Sequence, residues 1–315
     1  MPTPIWLAQP AQPMTVQEVK GFKGIISSVA IDGDRNSLLV GSGVDGIMAI
    51  DLNNLQTVYS VPWIVNPYSE IVVSPSGQFF AAAQKNEIGV FRSDDGGQLK
   101  TLRGHQGKIS AIAISPDNKM LVSASVEDRT VRVWDAETGD LLETLGENVG
   151  PVETVAFSPD GKFFVTGSIA EARYLQFWDS ATRKLLAAPM QQPGFIYTVA
   201  LTPNGKKLVA AVRNFVKVWN LMETPAGIET KELFSIRGPR LNITMLALSP
   251  DGRLAASADK SGMITLYDLN RGKVLKTLSG HKGWVLSVAF SPDGKSLYSG
   301  GEDKIVKIWD LSQWQ

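Results

Sequence analysis

The sequence predicts an all-β protein, a seven-bladed β-propeller of four-stranded antiparallel blades in which an N-terminal strand completes the last blade. Three observations predict it. A short turn signature recurs every forty-odd residues, strand-length apolar runs flank each copy, and the last unit lacks one strand that the other end of the chain can supply.

The turn signature reads SPSG at Ser74, SPDN at Ser115, SPDG at Ser158, TPNG at Thr202, SPDG at Ser249 and SPDG at Ser291. Its prolines, Pro75, Pro116, Pro159, Pro203, Pro250 and Pro292, are roughly 41 to 47 residues apart. A weaker seventh copy is Ile31-Asp32-Gly33-Asp34. Each copy suits a type I turn, with a hydroxyl residue first, proline pre-set for the second place, Asp or Asn third and Gly fourth.

Runs such as ISAIAI, VETVAF and VLSVAF precede the turns, and MLVSAS, FFVTGS and SLYSGG follow them. They are short, rich in Val, Ile, Leu and Phe, and bounded by turn residues, which favours strand over helix. A third strand in most units ends in an aromatic: Phe91, Trp134, Trp178, Trp219, Tyr267 and Trp309. A more polar fourth strand follows, as in GDLLETL and GKVLKTL, suited to an outer edge facing water. A linear solenoid would need polar capping repeats, and none is visible in the sequence.

The final unit supplies only three strands before the sequence ends at Gln315. The segment from Met14 to Gly24, MTVQEVKGFKG, aligns with the fourth strand and following loop at Lys273 to Gly283. Residues of roughly 14 to 21 are therefore expected to complete the last blade, so that both chain ends share one sheet and an edge is hidden. Residues 14–315 form one propeller domain on this reading, and residues 1–13 a Pro-rich disordered tail. The same N-terminus, Ile5-Trp6-Leu7-Ala8 and a Pro/Gln run, also resembles the end of a signal peptide that begins upstream. A cytoplasmic protein is expected on the first reading, a periplasmic or otherwise exported one on the second.

Composition narrows the function. Lys plus Arg and Asp plus Glu number 31 each, and the longest basic run is Lys206-Lys207, which speaks against nucleic acid as a partner. No window approaches the ~18 apolar residues of a membrane span. There is no cysteine, so disulfides, thiolate nucleophiles and Cys-based metal sites are excluded.

The Gly-His, Ser-x-x-x-x-Asp and Trp-Asp pattern resembles the WD-repeat family, and the resemblance covers residues 14 to 315. It implies a buried Trp–Ser/Thr–His–Asp hydrogen-bond network in each blade. Two units match residue by residue: His105, Ser123, Asp128 and Trp134, and His281, Ser299, Asp303 and Trp309. Elsewhere the pattern is eroded, with Phe22, Asn148, Gln192 and Pro239 at the His place and Ala172 and Ser261 at the Asp place. Those units are expected to be held mainly by core packing.

Ser, His and Asp together invite a hydrolase reading. Yet the two histidines are the only ones in the chain, and both fall in Gly-His pairs at one repeat position, which favours a structural role with no catalytic residues. With no spare His, a metal site would be all-oxygen, and no Asp-rich metal loop appears; no cofactor is expected.

The resemblance further implies that partners use the rim around the central channel. Carried over by alignment, the rim holds Ile25, Ser27, Pro67, Ser69, Lys108, Ser110, Glu127, Pro151, Glu153, Glu171, Phe195, Tyr197, Arg213, Asn242, Thr244, Lys260, Trp284, Leu286 and Glu302. Phe195, Tyr197 and Trp284 stand where most units carry small or polar residues, and aromatics and Arg are the usual hot spots of interfaces. The segment 220–240 reads as a protruding loop on the opposite face. The expected function is a non-enzymatic scaffold or adaptor, monomeric by itself, binding a protein or peptide. The alternatives are a propeller hydrolase or lyase with an oxygen-ligated metal in the channel, and an exported propeller in envelope assembly.

Overall fold

A computed structural model describes residues 16–65, 70–145, 150–169, 173–225, 227–238 and 241–314. The proposed tail, Met14, Pro67, Ser69, Asn148, Glu171, Ala172 and Pro239 lie outside the described residues. Among the described residues 28 strands form seven four-stranded antiparallel sheets, and no helix is long and apolar enough to cross a membrane. Blades 1 to 6 run in chain order over Ile26–Val61, Ile71–Arg103, Ile109–Leu145, Val152–Gln191, Ile196–Arg237 and Ile243–Ser279, their strands lettered a to d outward from the channel.

The seventh blade joins Val285–Phe290, Ser296–Gly301 and Val306–Asp310 to the N-terminal strand Val16–Val19. Val16 pairs with Trp309 and Val19 with Val306. Val19 and Phe22 pack with Ile26, Val29, Tyr298 and Val306, so one apolar layer spans the seam between blades 7 and 1. Within blade 7 an ion pair between Glu18 and the buried Lys307 ties the N-terminal strand to its neighbour.

The turn signature acts as a side-chain clamp. In the last copy Gly294 N–H donates to the Ser291 carbonyl at 2.9 Å. Ser291 Oγ donates to Asp293 at 2.6 Å and accepts from Ser296 N–H at 2.9 Å. The fourth place needs a left-handed backbone, φ 72° at Gly294 and φ 62° at Asn118, which suits Gly and Asn. The core lies between blades: Val122 and Val133 of blade 3, for example, pack on Val155, Phe164 and Trp178 of blade 4.

Most of the 220–240 segment is strand where a loop was expected. It belongs to two long paired strands, Phe215–Thr224 and Gly227–Arg237, whose hairpin end reaches over blade 4. The reason is a gap to be covered. The outer strand of blade 4 is only Met190–Gln191, and Leu221 and Ile228 of the hairpin pack against Leu186 and Met190.

Candidate binding site at the mouth of the channel

Blades 3 and 7 contain complete polar chains. Trp134 Nε1 donates to Ser123 Oγ at 2.8 Å, Ser123 Oγ lies 2.8 Å from His105 Nε2, and His105 Nδ1 lies 2.7 Å from Asp128. Because the Ser oxygen already accepts from Trp, its proton goes to Nε2, and Nδ1–H must donate to the carboxylate. The imidazole is thus neutral, as its depressed pKa requires: burial pulls it below the ordinary value, against the pull of Asp128. Burial pushes Asp128 up, but hydrogen bonds from His105 and Thr130 outweigh it and hold the carboxyl at about 2. Trp309, Ser299, His281 and Asp303 repeat the chain at 2.8, 2.7 and 3.0 Å. Each Asp also reaches the loop backbone, as Asp128 does at Gln106 N–H, 2.9 Å.

The eroded blades keep fragments of this chain. In blade 1, where Phe22 replaces His, Asp45 still accepts from Lys23 N–H and Gly24 N–H at 2.9 and 3.1 Å. Blade 4 keeps Trp178 Nε1 to Thr166 Oγ1 at 3.0 Å, and blade 6 pairs Tyr267 with Ser257 at 2.9 Å. In blade 2 Trp63 takes up the space, its ring 5.4 Å from Phe91 and its Nε1 donating to the Ala82 carbonyl. Ser261 turns back onto Asp259, and Gln192 is buried. Polar substitutes thus supplement the core packing expected to hold these blades.

The inner rim is built by a repeated β-bulge. Pairing of strands a and b skips one residue in six blades: Ser27, Ser110, Glu153, Tyr197, Thr244 and Leu286. A bulge re-aims the extra side chain, and these six converge with Glu70, Thr198, Ile243, Met245, Lys260 and Ser287 around a cavity of about 190 Å³. Below it lies a channel space of about 320 Å³, walled by Ala30, Ile31, Val72, Val73, Ala247 and Phe290, with Glu70 at the junction of the two.

Around the mouth the side chains assigned to the rim have different states. Glu127 and Glu302 are bound to the loops, accepting from Lys108 N–H at 2.8 Å and Trp284 N–H at 3.0 Å. Gly107, Gly194 and Gly283 leave room for Glu127, Arg213 and Glu302; a Cβ at Gly194 would lie 2.3 Å from Arg213 Cγ. Phe195 is 43% exposed and meets Tyr197 edge-on at 6.4 Å, with the Arg173 guanidinium 5.8 Å from its ring centre. Tyr197 accepts from Asn242 Nδ2 at 3.0 Å, and Lys260 Nζ sits 4.3 Å over the half-buried Trp284 ring. Glu153 faces Lys108 and Lys260, yet burial dominates and pushes its carboxyl up to about 7.

Sequence reasoning did not single out Arg173, Asp45 or Glu70. Arg173 and Asp45 sit in loops whose alignment is blurred by erosion. Glu70 carried a usable signal, since it precedes an inner-strand apolar residue where Ser28, Thr154 and Ser287 stand in other blades. One further motif is inert: Gly41 to Gly46 has the GxGxxG spacing of a phosphate loop, but it is the hairpin between Ser37–Ser42 and Gly46–Asp51 and opens no helix.

Known proteins resemble this chain in the same terms. The profile of the WD domain, G-beta repeat, matches residues 96–135, 139–179 and 272–310, and that of the anaphase-promoting complex subunit 4 WD40 domain matches 198–288. An uncharacterized WD repeat-containing protein of Synechocystis sp. is 49% identical over 269 residues, 85% of this chain and 76% of that one. WD repeat-containing protein 36 of Homo sapiens is 30% identical over 109 residues, 34% of this chain and 12% of its own. The small ribosomal subunit protein RACK1 of Candida albicans is 58% identical over 36 residues, 11% of each chain.

Proposed function

The chain belongs to the WD-repeat family, and from that premise we propose that it is a non-enzymatic scaffold or adaptor holding a protein or peptide on the rim around its channel. Propellers of this family are generally protein-interaction scaffolds. The observation that carries the reading is the aromatic and cationic arc of blades 4 to 7: Arg173, Phe195, Tyr197, Arg213, Lys260 and Trp284, presented by bulges and loops at the channel mouth. Rigid aromatics and Arg at the centre of a concave face are the residues from which interfaces draw most of their energy.

The chemistry of the Ser–His–Asp sets supports a non-catalytic role. Each His Nε2 is taken by a Ser whose oxygen is itself taken by Trp, inside the blade and away from the mouth.

The test is photo-crosslinking from the rim, followed by quantitative binding of the partner it captures. Trp284→Ala and Tyr197→Ala are expected to weaken that binding by about thirtyfold each, equivalent to ~2 kcal/mol. Met222→Ala, on the exposed hairpin of the other face, is expected to leave it unchanged. Full binding by both rim variants refutes the reading.

A further inference from the structure

Two rings of hydroxyl groups stitch neighbouring blades at the channel wall. In one ring the bulge residue donates to a carbonyl of the next blade or its approach: Ser27 Oγ to Val65 at 3.5 Å, Ser110 Oγ to Val152 at 2.7 Å, and Thr244 Oγ1 to Val285. In the other ring the next residue accepts an amide of the following blade. Ser287 Oγ takes Val29 N–H at 3.0 Å, Ser28 Oγ takes Ile71 N–H at 2.8 Å, and Thr154 Oγ1 takes Val199 N–H at 3.1 Å.

Not every blade keeps the stitch: Tyr197 and Leu286 stand in the first ring and Ala111 and Met245 in the second. Two acids also replace it, Glu153 in the first ring and Glu70 in the second, each where other blades use a short hydroxyl. Both line the 190 Å³ cavity. Among the described residues no hydrogen bond reaches either carboxyl, and at Glu70 no neighbouring charge offsets the burial. The stitching of the ring therefore gives no account of them. Lys260 lines the same cavity and faces Glu153, and among the described residues no counter-charge offsets the burial of Glu70.

We infer that the channel mouth binds a monovalent organic cation, the ammonium or guanidinium end of a lysine or arginine side chain carried by the partner, held by Glu70 and Glu153. The size fits: about 190 Å³ lies below the ~300 Å³ at which pockets for drug-sized ligands begin. A divalent metal fits poorly, because it would share the cavity with the Lys260 ammonium and find only two carboxyls. The apolar channel walls below Glu70 stop the charged end at the depth of the acids.

Burial pushes both carboxyls up to about 7. The groups facing Glu153 are Lys108, Lys260 and Tyr197, and at Glu70 burial acts alone. An entering cation favours the ionised carboxylates, so protons leave as it binds and acid opposes it. That the side chain belongs to a partner rests on the rim as docking face; that the cavity takes a cation rests on its own walls.

The test uses the full chain with labelled methyl groups, read by NMR at the cavity residues Ile243, Met245 and Leu286. The probes are n-butylammonium, n-butylguanidinium, neutral 1-pentanol, calcium chloride and a Gly-Lys-Gly tripeptide with blocked ends. Saturable shifts are expected with both cations and the tripeptide, weakened about tenfold or more by Glu70→Gln, by Glu153→Gln, and at about pH 5 relative to about pH 8. Unchanged methyl spectra of the two unliganded variants away from the mouth establish that they fold. Equal shifts from 1-pentanol, full binding by both variants, or saturation by calcium without the amines overturns the cation site. Binding of n-butylammonium tenfold tighter than the tripeptide overturns the side-chain source. Amine binding that survives while Trp284→Ala and Tyr197→Ala keep their partner leaves the cation site standing and refutes only the rim reading.

Discussion

Replacing Glu70 by Gln is expected to stabilise the protein at alkaline pH and leave it unchanged in mild acid. The carboxyl moves from an ordinary value of 4.5 to about 7 on folding, and burial is the cause. A raised carboxyl pKa means that between these values the folded chain keeps a proton the unfolded chain has lost. Stability therefore falls as pH rises through that window, and the full cost is present above it. Fully expressed, a displacement of this size costs about 3 kcal/mol, at ~1.4 kcal/mol per pH unit. The carboxyl is only half-buried and faces the channel, so screening by channel water reduces this to about 1–2 kcal/mol. With an unfolding entropy of about 2.1 cal/mol/K per residue, that is a rise of about 1.5–3 °C in Tm. The assay is thermal and urea unfolding of both proteins at about pH 4 and about pH 8.5, bracketing the window. The curves should coincide in acid and separate in base, with the variant more stable. An equal offset at both pH values, or a less stable variant in base, refutes the assignment of a buried, unpaired carboxyl.

Ser123→Ala strands two buried groups at once, Trp134 Nε1–H and His105 Nε2, and should cost about 2–4 kcal/mol in urea unfolding; Thr166→Val strands Trp178 Nε1–H alone and should cost about 1–3 kcal/mol. Both histidines are held neutral by burial, so as pH falls below the unfolded value of 6.5 the unfolded chain gains protons the folded chain refuses, and stability drops. A His105→Asn variant should show a shallower acid loss than the wild type, and parallel pH profiles would contradict the neutral-histidine chain. Deleting residues 1–21 removes the strand Val16–Val19 and leaves buried Lys307 without Glu18, so Tm should fall sharply, whereas deleting residues 1–12 should leave it unchanged. Equal melting of the two truncations would sink the closure.

The propeller was legible because its determinants are local and repeated. Ser-Pro-Asp-Gly encodes one turn wherever it stands, and the unit length fixes four strands per blade. The closing strand was legible for the same reason, since Met14 to Gly24 has the pattern of a fourth strand and its loop. The channel mouth was only half legible. Alignment to blades 3 and 7 placed Lys108, Glu127, Trp284 and Glu302, but it said nothing of their engagement. Two of them turned out to be acids bonded to the adjacent loop backbone, and Trp284 lies under Lys260. These are contacts between residues remote in sequence, which spacing does not encode. The long paired strands Phe215–Thr224 and Gly227–Arg237 were not legible for a related reason: their length depends on blade 4 offering a surface to cover.

The two acids of the mouth separate what the ring needs from what the mouth does. A closed ring must join each blade to the next at its narrow inner edge, and a hydroxyl does this at short reach with both partners satisfied. An acid in that place gives up the stitch and takes on a desolvation cost, so at that point the wall loses stability. The ring bears the loss because Thr154 still stitches the seam beside Glu153, Ser28 and Ser287 hold other seams, and apolar layers lie between blades. It follows that the stitching hydroxyls serve stability alone, whereas at Glu70 stability and mouth chemistry pull in opposite directions. Removing the Ser28 or Ser287 hydroxyl leaves a buried amide unpaired and weakens the ring, while neutralising Glu70 strengthens the ring and removes the charge at the mouth.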